Sequence, residues 1–136
     1  MALEISSTLL ARLLNEAAKA PEQEVCGLLF GTTTRLEAVR PCRNVAVEPA
    51  RAFEIDPAAL IAAHRAARDG GPAIVGYYHS HPSGSAFPSA RDAAAAAADG
   101  TIWIIIAAQD IACYRAVCDG AHVGRFDPVP HLIVAP

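Results

Sequence analysis

The chain has 136 residues, 53% of them hydrophobic and 18% charged, a balance that excludes intrinsic disorder and lets one domain bury about two-thirds of its unfolded surface without disulfides. The formal net charge is −3 and the Lys and Arg residues are scattered, so there is no basic cluster to replace phosphate counterions, which argues against a nucleic-acid partner. No apolar run approaches the roughly 20 residues of a bilayer crossing, residues 1–4 do not open a secretory leader, and Cys26, Cys42, Cys113 and Cys118 form no CxxC pair; these features predict a cytoplasmic chain with reduced thiols and no membrane partner.

Residues 3–5 read as a short strand. Ser6 or Ser7 then caps a helix in which Leu9, Leu10, Leu13, Leu14 and Ala17 recur at the spacing of one buried stripe, and Pro21 lies beyond its end. Residues 24–31 read as a buried strand, Thr32-Thr33-Thr34 as a turn and residues 35–42 as the alternating hairpin partner. This places Glu24 at a strand end. Residues 43–50 are irregular, and Ala52-Phe53-Glu54-Ile55 alternates like an edge strand. Asp56-Pro57 supplies an N-cap followed by proline at the first helical position, starting a helix that runs to about residue 68 and stops at Asp69-Gly70-Gly71-Pro72.

The run Ala73-Ile74-Val75-Gly76-Tyr77-Tyr78 reads as a strand, and because side chains alternate, His79 and His81 leave its end on the same side. Pro82, Gly84 and Pro88 make the following stretch a tight loop, and Ser89 caps an alanine-rich helix extending to about residue 99. Asp92 falls at the third position of that helix, where Ser-x-x-Asp is a capping pattern and the helix dipole keeps a carboxylate ionised. Two neutral nitrogens and one anionic oxygen around one point suit zinc with a fourth position open, the arrangement of a catalytic site. Residues 101–108 are apolar on both faces and so predict a central strand. Residues 111–117 and 121–126 predict a hairpin over Cys118-Asp119-Gly120, with an edge strand at Leu132-Ile133-Val134. The order predicts an α/β fold, a mixed sheet flanked by helices, in one domain spanning residues 1–136.

His79-Ser80-His81-Pro82 followed by Pro88-Ser89-Ala90-Arg91-Asp92 resembles the signature of the JAMM metalloproteases, or MPN-plus domains. Glu24, in Pro21-Glu22-Gln23-Glu24-Val25-Cys26-Gly27-Leu28-Leu29-Phe30-Gly31, matches the glutamate that family carries before a short apolar strand. The resemblance covers most of the chain and is to the stand-alone prokaryotic type. It implies the three-layer, cytidine-deaminase-like (JAB1/MPN) architecture and one Zn2+ per chain held by His79, His81 and Asp92. By the same resemblance Glu24 is the general acid–base group, taking a proton from water and returning it to the departing amine, and Ser89 donates its hydroxyl to the tetrahedral oxyanion. The implied activity is that of a zinc-dependent peptidase or isopeptidase, with the C-terminal tail of a ubiquitin-like or sulfur-carrier β-grasp protein as substrate. Members that cleave linked ubiquitin carry insertions around the site, and here Asp92 is followed directly by a short helix and the next strand.

Each of these residues also has a plainer reading: hydrogen-bonded strand-end imidazoles for His79 and His81, capping groups for Ser89 and Asp92, a solvated charge for Glu24. A metal-free MPN-type scaffold is the competing function, but such domains have lost ligands that this chain keeps. A RadC-like, DNA-repair-associated domain shares the His-x-His-Pro-Ser-Gly loop but normally carries an added nucleic-acid-binding region. A cytidine deaminase needs His-x-Glu and Pro-Cys-x-x-Cys, and neither occurs. Cys26 is in an apolar setting with no base beside it and reads as a core thiol; His64, His122 and His131 lack ligand spacing, and Trp103 reads as core. Phe30 and Gly31 on one side, with residues 76–78 and 83–87 on the other, are expected to flank a groove suited to an extended chain.

Overall fold

The computed structural model describes residues 2–136. In chain order the elements are β1 (Leu3–Ser6), α1 (Ser7–Lys19), β2 (Cys26–Gly31), β3 (Leu36–Cys42), α2 (Pro57–Arg68), β4 (Ile74–Ser80), α3 (Ala90–Ala95), β5 (Ile102–Ala107), β6 (Asp110–Gly120), β7 (Gly124–Pro128) and β8 (His131–Val134). A six-stranded sheet runs β3-β2-β4-β5-β6-β7, with β4 and β5 parallel and the other neighbours antiparallel. A separate parallel pair joins β1 to β8. Among the described residues no helix is long and apolar enough to cross a membrane.

The core follows from the alternation of β5, every residue of which is buried. Ile102, Ile104 and Ile106 point to one face, where they meet Leu9 and Leu13 of α1. Trp103 and Ile105 point to the other, where they meet Ala96, just past α3, together with Tyr114 and Phe126. Beside this second cluster, Cys26, Leu28 and Phe30 of β2 pack against Ala63 of α2. Helix, sheet and helices thus form the expected three layers, and each fully buried Ile or Leu contributes about 1.5–3 kcal/mol. Because β2 runs antiparallel to β4 with Cys26 opposite His79, the start of β2 and the end of β4 lie side by side. The crevice at the carboxyl end of β4, beside its parallel neighbour, is the usual place for a ligand in such a sheet.

Several expected elements differ. Glu24 precedes β2 by two residues rather than opening it. Residues 52–55 make a single bridge, Ile55 to Asn44, instead of an edge strand, because the Asn44 amide takes the backbone groups a ladder would have used. The alanine helix ends at Ala95 and not near residue 99; Ala96 turns to extended backbone (φ −83, ψ 131) and buries its methyl in the Trp103 and Phe126 cluster, so packing overrides alanine's helix preference. The last hairpin turns at residues 121–123, not 118–120. Gly120 is a close-packed strand position, where a Cβ would lie 2.4 Å from the Phe126 nitrogen, and the Asp127 carboxylate closes the actual turn by accepting from the Ala121 N–H at 2.9 Å.

The β4–β5 pairing makes a direct demand on sequence. Gly76 pairs with Ile102, and a Cβ on it would lie 1.7 Å from the Ile102 carbonyl oxygen, where only a backbone shift gives relief. Gly76→Ala is expected to destabilise the chain by about 1–3 kcal/mol or more, measured by urea unfolding. Unchanged stability would mean that these strands do not approach in this way.

Candidate metal centre

His79 is the penultimate residue of β4. His81 lies just beyond, its N–H still donating to the Ile106 carbonyl at 2.9 Å, so the extended backbone carries both rings to one side. Their Nε2 atoms are 3.0 Å apart. Asp92 completes the cluster, with Oδ1 3.1 Å from His79 Nε2 and Oδ2 3.1 Å from His81 Nε2. A reciprocal capping box fixes this carboxylate: the Asp92 N–H donates to Ser89 Oγ at 3.0 Å and the Ser89 N–H donates to Asp92 Oδ2 at 2.9 Å. Capping and convergence on the histidines are therefore one arrangement.

Hydrogen bonding fixes which atoms face the cluster. His81 Nδ1 is 2.7 Å from the Ser85 carbonyl oxygen, which can only accept, so Nδ1 carries a proton and Nε2 faces His79 and Asp92. Burial pushes the His79 imidazole below its ordinary pKa, against the pull of Asp92. Burial raises Asp92, but hydrogen bonds from His79, His81 and the Ser89 N–H outweigh it and hold the carboxyl well below the usual range. Two imidazole nitrogens and a carboxylate, the donor types that bind zinc, thus face one another. Their 3.0–3.1 Å separations approach the roughly 3.3 Å edge of a tetrahedron of nitrogen and oxygen ligands around zinc. Burial lowers His81, yet Asp92, the Ser85 carbonyl and Glu24 together lift it above its ordinary pKa; a proton there is what a metal would displace.

Glu24 presents a carboxylate oxygen within 4.8 Å of both histidine donor atoms. The shorter contacts of those rings go to Asp92, 3.1 Å from each Nε2. Among the described residues the buried Oε1 of Glu24 has no partner. Burial, reinforced by Asp92 and opposed by His81 and Arg91, pushes its pKa up to about 7. Its backbone is pinned: the Glu24 N–H donates to the Pro49 carbonyl at 2.7 Å and its carbonyl accepts from Asn44 Nδ2 at 2.9 Å.

A cleft of about 420 Å³ opens over these groups, lined by Glu24, Arg51, His81, Ser85, Phe87 and Ser89. The expected groove is corrected by strand direction. Phe30 and Gly31 lie at the far end of β2, because its antiparallel run brings Cys26 to His79 and Phe30 to Ile74, and residues 76–78 lie inside the sheet. Only the 83–87 loop flanks the site as expected; Ala50 and Arg51 line the same cleft. A second groove of about 420 Å³ lies beyond His81, between the end of α1 and the β5–β6 turn. Cys26 is buried and its thiol is pushed up to about 12, chiefly by burial, which removes it as a nucleophile. His122 packs against Tyr114 and Phe87, outside the cluster.

Two supporting residues escape the reading of the sequence. Phe53 stacks on His79 with ring centroids 4.3 Å apart, and its only signal was an alternation that read as strand. Asn44 binds the backbone on both sides of its loop; an asparagine in an irregular stretch was its only mark.

The model of a family described as prokaryotic homologs of the JAB domain matches residues 6–117. The chain is 36% identical over 107 residues to a desampylase from Haloferax volcanii, covering 77% of each. It is 43% identical over 82 residues to a probable TtuB-protein conjugate cleaving protease from Thermus thermophilus, covering 60% of the chain and 52% of that protein. In three dimensions it resembles a JAB1/MPN domain protein from Archaeoglobus fulgidus, with a TM-score of 0.61 over 96% of the chain and 98% of the other, at 22% identity, a likeness of fold.

The unsatisfied cluster predicts linkage between metal and stability. Zinc added to the metal-free chain should raise its Tm, reaching about 4 kcal/mol of stabilisation at free metal 1,000-fold above Kd. A His79→Ala, His81→Ala double variant should keep its circular-dichroism spectrum and show no shift. Stoichiometric zinc on the double variant would refute the site.

Proposed function

The chain belongs to the family of prokaryotic homologs of the JAB domain, and from that premise we propose that it is a zinc-dependent isopeptidase of the JAMM type. Residues 1–136 form one catalytic domain in this reading, acting in the cytoplasm on conjugates of a ubiquitin-like or sulfur-carrier β-grasp protein. The observation that carries the proposal is the convergence of His79, His81 and Asp92 on one point with Glu24 beside it, whose buried Oε1 has no partner among the described residues.

His79, His81 and Asp92 hold one Zn2+ per chain. When bound, zinc supplies Lewis-acid activation of water at neutral pH. Glu24 moves the protons. A carboxyl with a pKa of about 7 is matched to neutral conditions, able to take a proton from the attacking water and return it to the leaving amine. Balance is simple: the amide C–N bond breaks, a C–O bond forms, and the amine leaves with the proton that passed through Glu24. Ser89 Oγ accepts the Asp92 N–H, which leaves its own O–H free to donate to the oxyanion at the cleft it lines.

Substrate class is supported by shape and by kinship. Small residues line the cleft and the groove near His81, Ala50, Ser83 and Ser85 in one and Ala17, Gly84 and Ala107 in the other, among larger ones such as Arg51, Phe87 and Leu14. A narrow, extended chain fits such walls, and a glycine pair at the reacting carbonyl approaches the metal ligands most closely. The similarity to a desampylase and to a protease that cleaves TtuB-protein conjugates supports a protein conjugate as the substrate.

Glu24→Gln should keep stoichiometric zinc and lose about 10²–10⁴-fold in kcat. Ser89→Ala should lose up to about 10²–10³-fold and about 1 kcal/mol of stability with its cap. Single-turnover kinetics and metal analysis check both, and a fully active Glu24 variant would sink the mechanism.

Specificity is tested by offering three substrates: a β-grasp carrier extended past its Gly-Gly end, the same carrier with Val-Val, and an unrelated unfolded protein. Mass spectrometry should find cleavage after the glycine pair and little in the other two. Equal cleavage of all three would make the chain a general peptidase.

A further inference from the structure

We infer that Asn44 is a positioning residue that locks Glu24 and the His79 ring into one unit, an inference that rests on the function proposed above. Its amide is saturated. Nδ2 donates to the carbonyls of Glu24 at 2.9 Å and Ala52 at 3.0 Å, while Oδ1 accepts from the N–H groups of Ala46 and Glu54, both at 3.0 Å. Two carbonyls on one side and two N–H groups on the other fix the orientation of the amide, since a flipped amide would set like against like. Aspartate has the same shape but, ionised, offers no donor.

One arm of this hub reaches the acid–base group. Glu24 lies before β2 and takes no part in its ladder. Its carbonyl is held by Asn44, and its N–H by Pro49 of the same loop. The loop closes on itself through the Val45 N–H to the Glu54 carbonyl at 2.9 Å and the Asp56 N–H to the Arg43 carbonyl at 3.0 Å. Displacing the loop therefore displaces Glu24.

The other arm reaches His79. A metal-binding histidine is ordinarily oriented by a hydrogen bond from its second nitrogen. Among the described residues His79 Nδ1 has no such partner, whereas His81 Nδ1 has the Ser85 carbonyl. Packing must orient His79 instead, and the nearest ring is Phe53, 4.3 Å away and within 20° of parallel. Phe53 lies between Ala52 and Glu54, the two residues whose backbones Asn44 grips.

The test separates the two arms. In zinc-saturated Asn44→Ala, kcat should fall about 10–100-fold with KM unchanged, and zinc affinity, read by chelator competition without substrate, should fall by a similar factor. In a Glu24→Gln background Asn44→Ala should cost no further kcat, and in a Phe53→Leu background no further zinc affinity. If Asn44→Ala folds poorly, Asn44→Asp keeps the two accepting bonds and should reproduce the kcat loss. Wild-type kcat and zinc affinity in the zinc-loaded variants would overturn the inference. So would an equal kcat loss in the presence and absence of Glu24. Full activity of Glu24→Gln alone would instead overturn the proposed chemistry, with the substrate-free zinc measurement still deciding the role of Asn44.

Discussion

The site is organised by one crowded convergence. Two imidazole nitrogens and a carboxylate are held within about 3 Å of one another, close enough for one proton or one cation to hold them together. Every surrounding element resists its relaxation. β4 fixes the direction of both rings, the α3 cap fixes the carboxylate, and Tyr114 donates to the Ala86 carbonyl at 2.8 Å, steadying the loop whose Ser85 carbonyl orients His81. Stability is supplied elsewhere, by β5 and the helices on its two faces. The fold can hold so many buried polar groups together because most of its apolar core lies away from them.

The same environment gives two carboxylates opposite characters. Asp92 accepts the Ser89 N–H and faces two imidazoles, so its charged form is favoured. Glu24 is also buried, but among the described residues its Oε1 has no partner, and burial lifts it to about 7. Acids driven apart in this way suit different tasks, one staying ionised and holding charge, the other exchanging protons near neutral pH. The difference follows from hydrogen bonding, since both are carboxylic acids beside the same two rings.

What was legible in the sequence was local. His-x-His at the end of an apolar run, Ser-x-x-Asp at a helix start and an all-apolar β5 each depend on periodicity within a few residues, and each took the expected form. What was not legible depended on distant partners. Asn44 reaches Glu24 across 20 positions, and the same amide, by taking the Ala52 carbonyl and the Glu54 N–H, replaced an apparent edge strand with a loop. The burial of Ala96 against Trp103 and Phe126 cut short a helix that alanine alone would have continued. Gly120 looked like a turn and is a contact with Phe126. The misplaced groove came from the direction of β2 relative to β4, which no residue in either strand specifies.

Ser80 shows how little sequence is needed to couple the two histidines to Glu24. Alternation sends His79 and His81 to one face, and the residue between them to the other. There the Ser80 hydroxyl accepts from the Val25 N–H at 2.8 Å, lies 3.5 Å from the Gln23 carbonyl, and the Ser80 N–H donates to the Val25 carbonyl at 3.0 Å. These contacts flank Glu24 on both sides. A one-residue slip of β4 would exchange the faces, removing the imidazoles from Asp92 and the clamp from Glu24 at once. The register of a single strand therefore sets two geometries, the convergence of His79 and His81 on Asp92 and the approach of Glu24, so that neither can be assembled without the other.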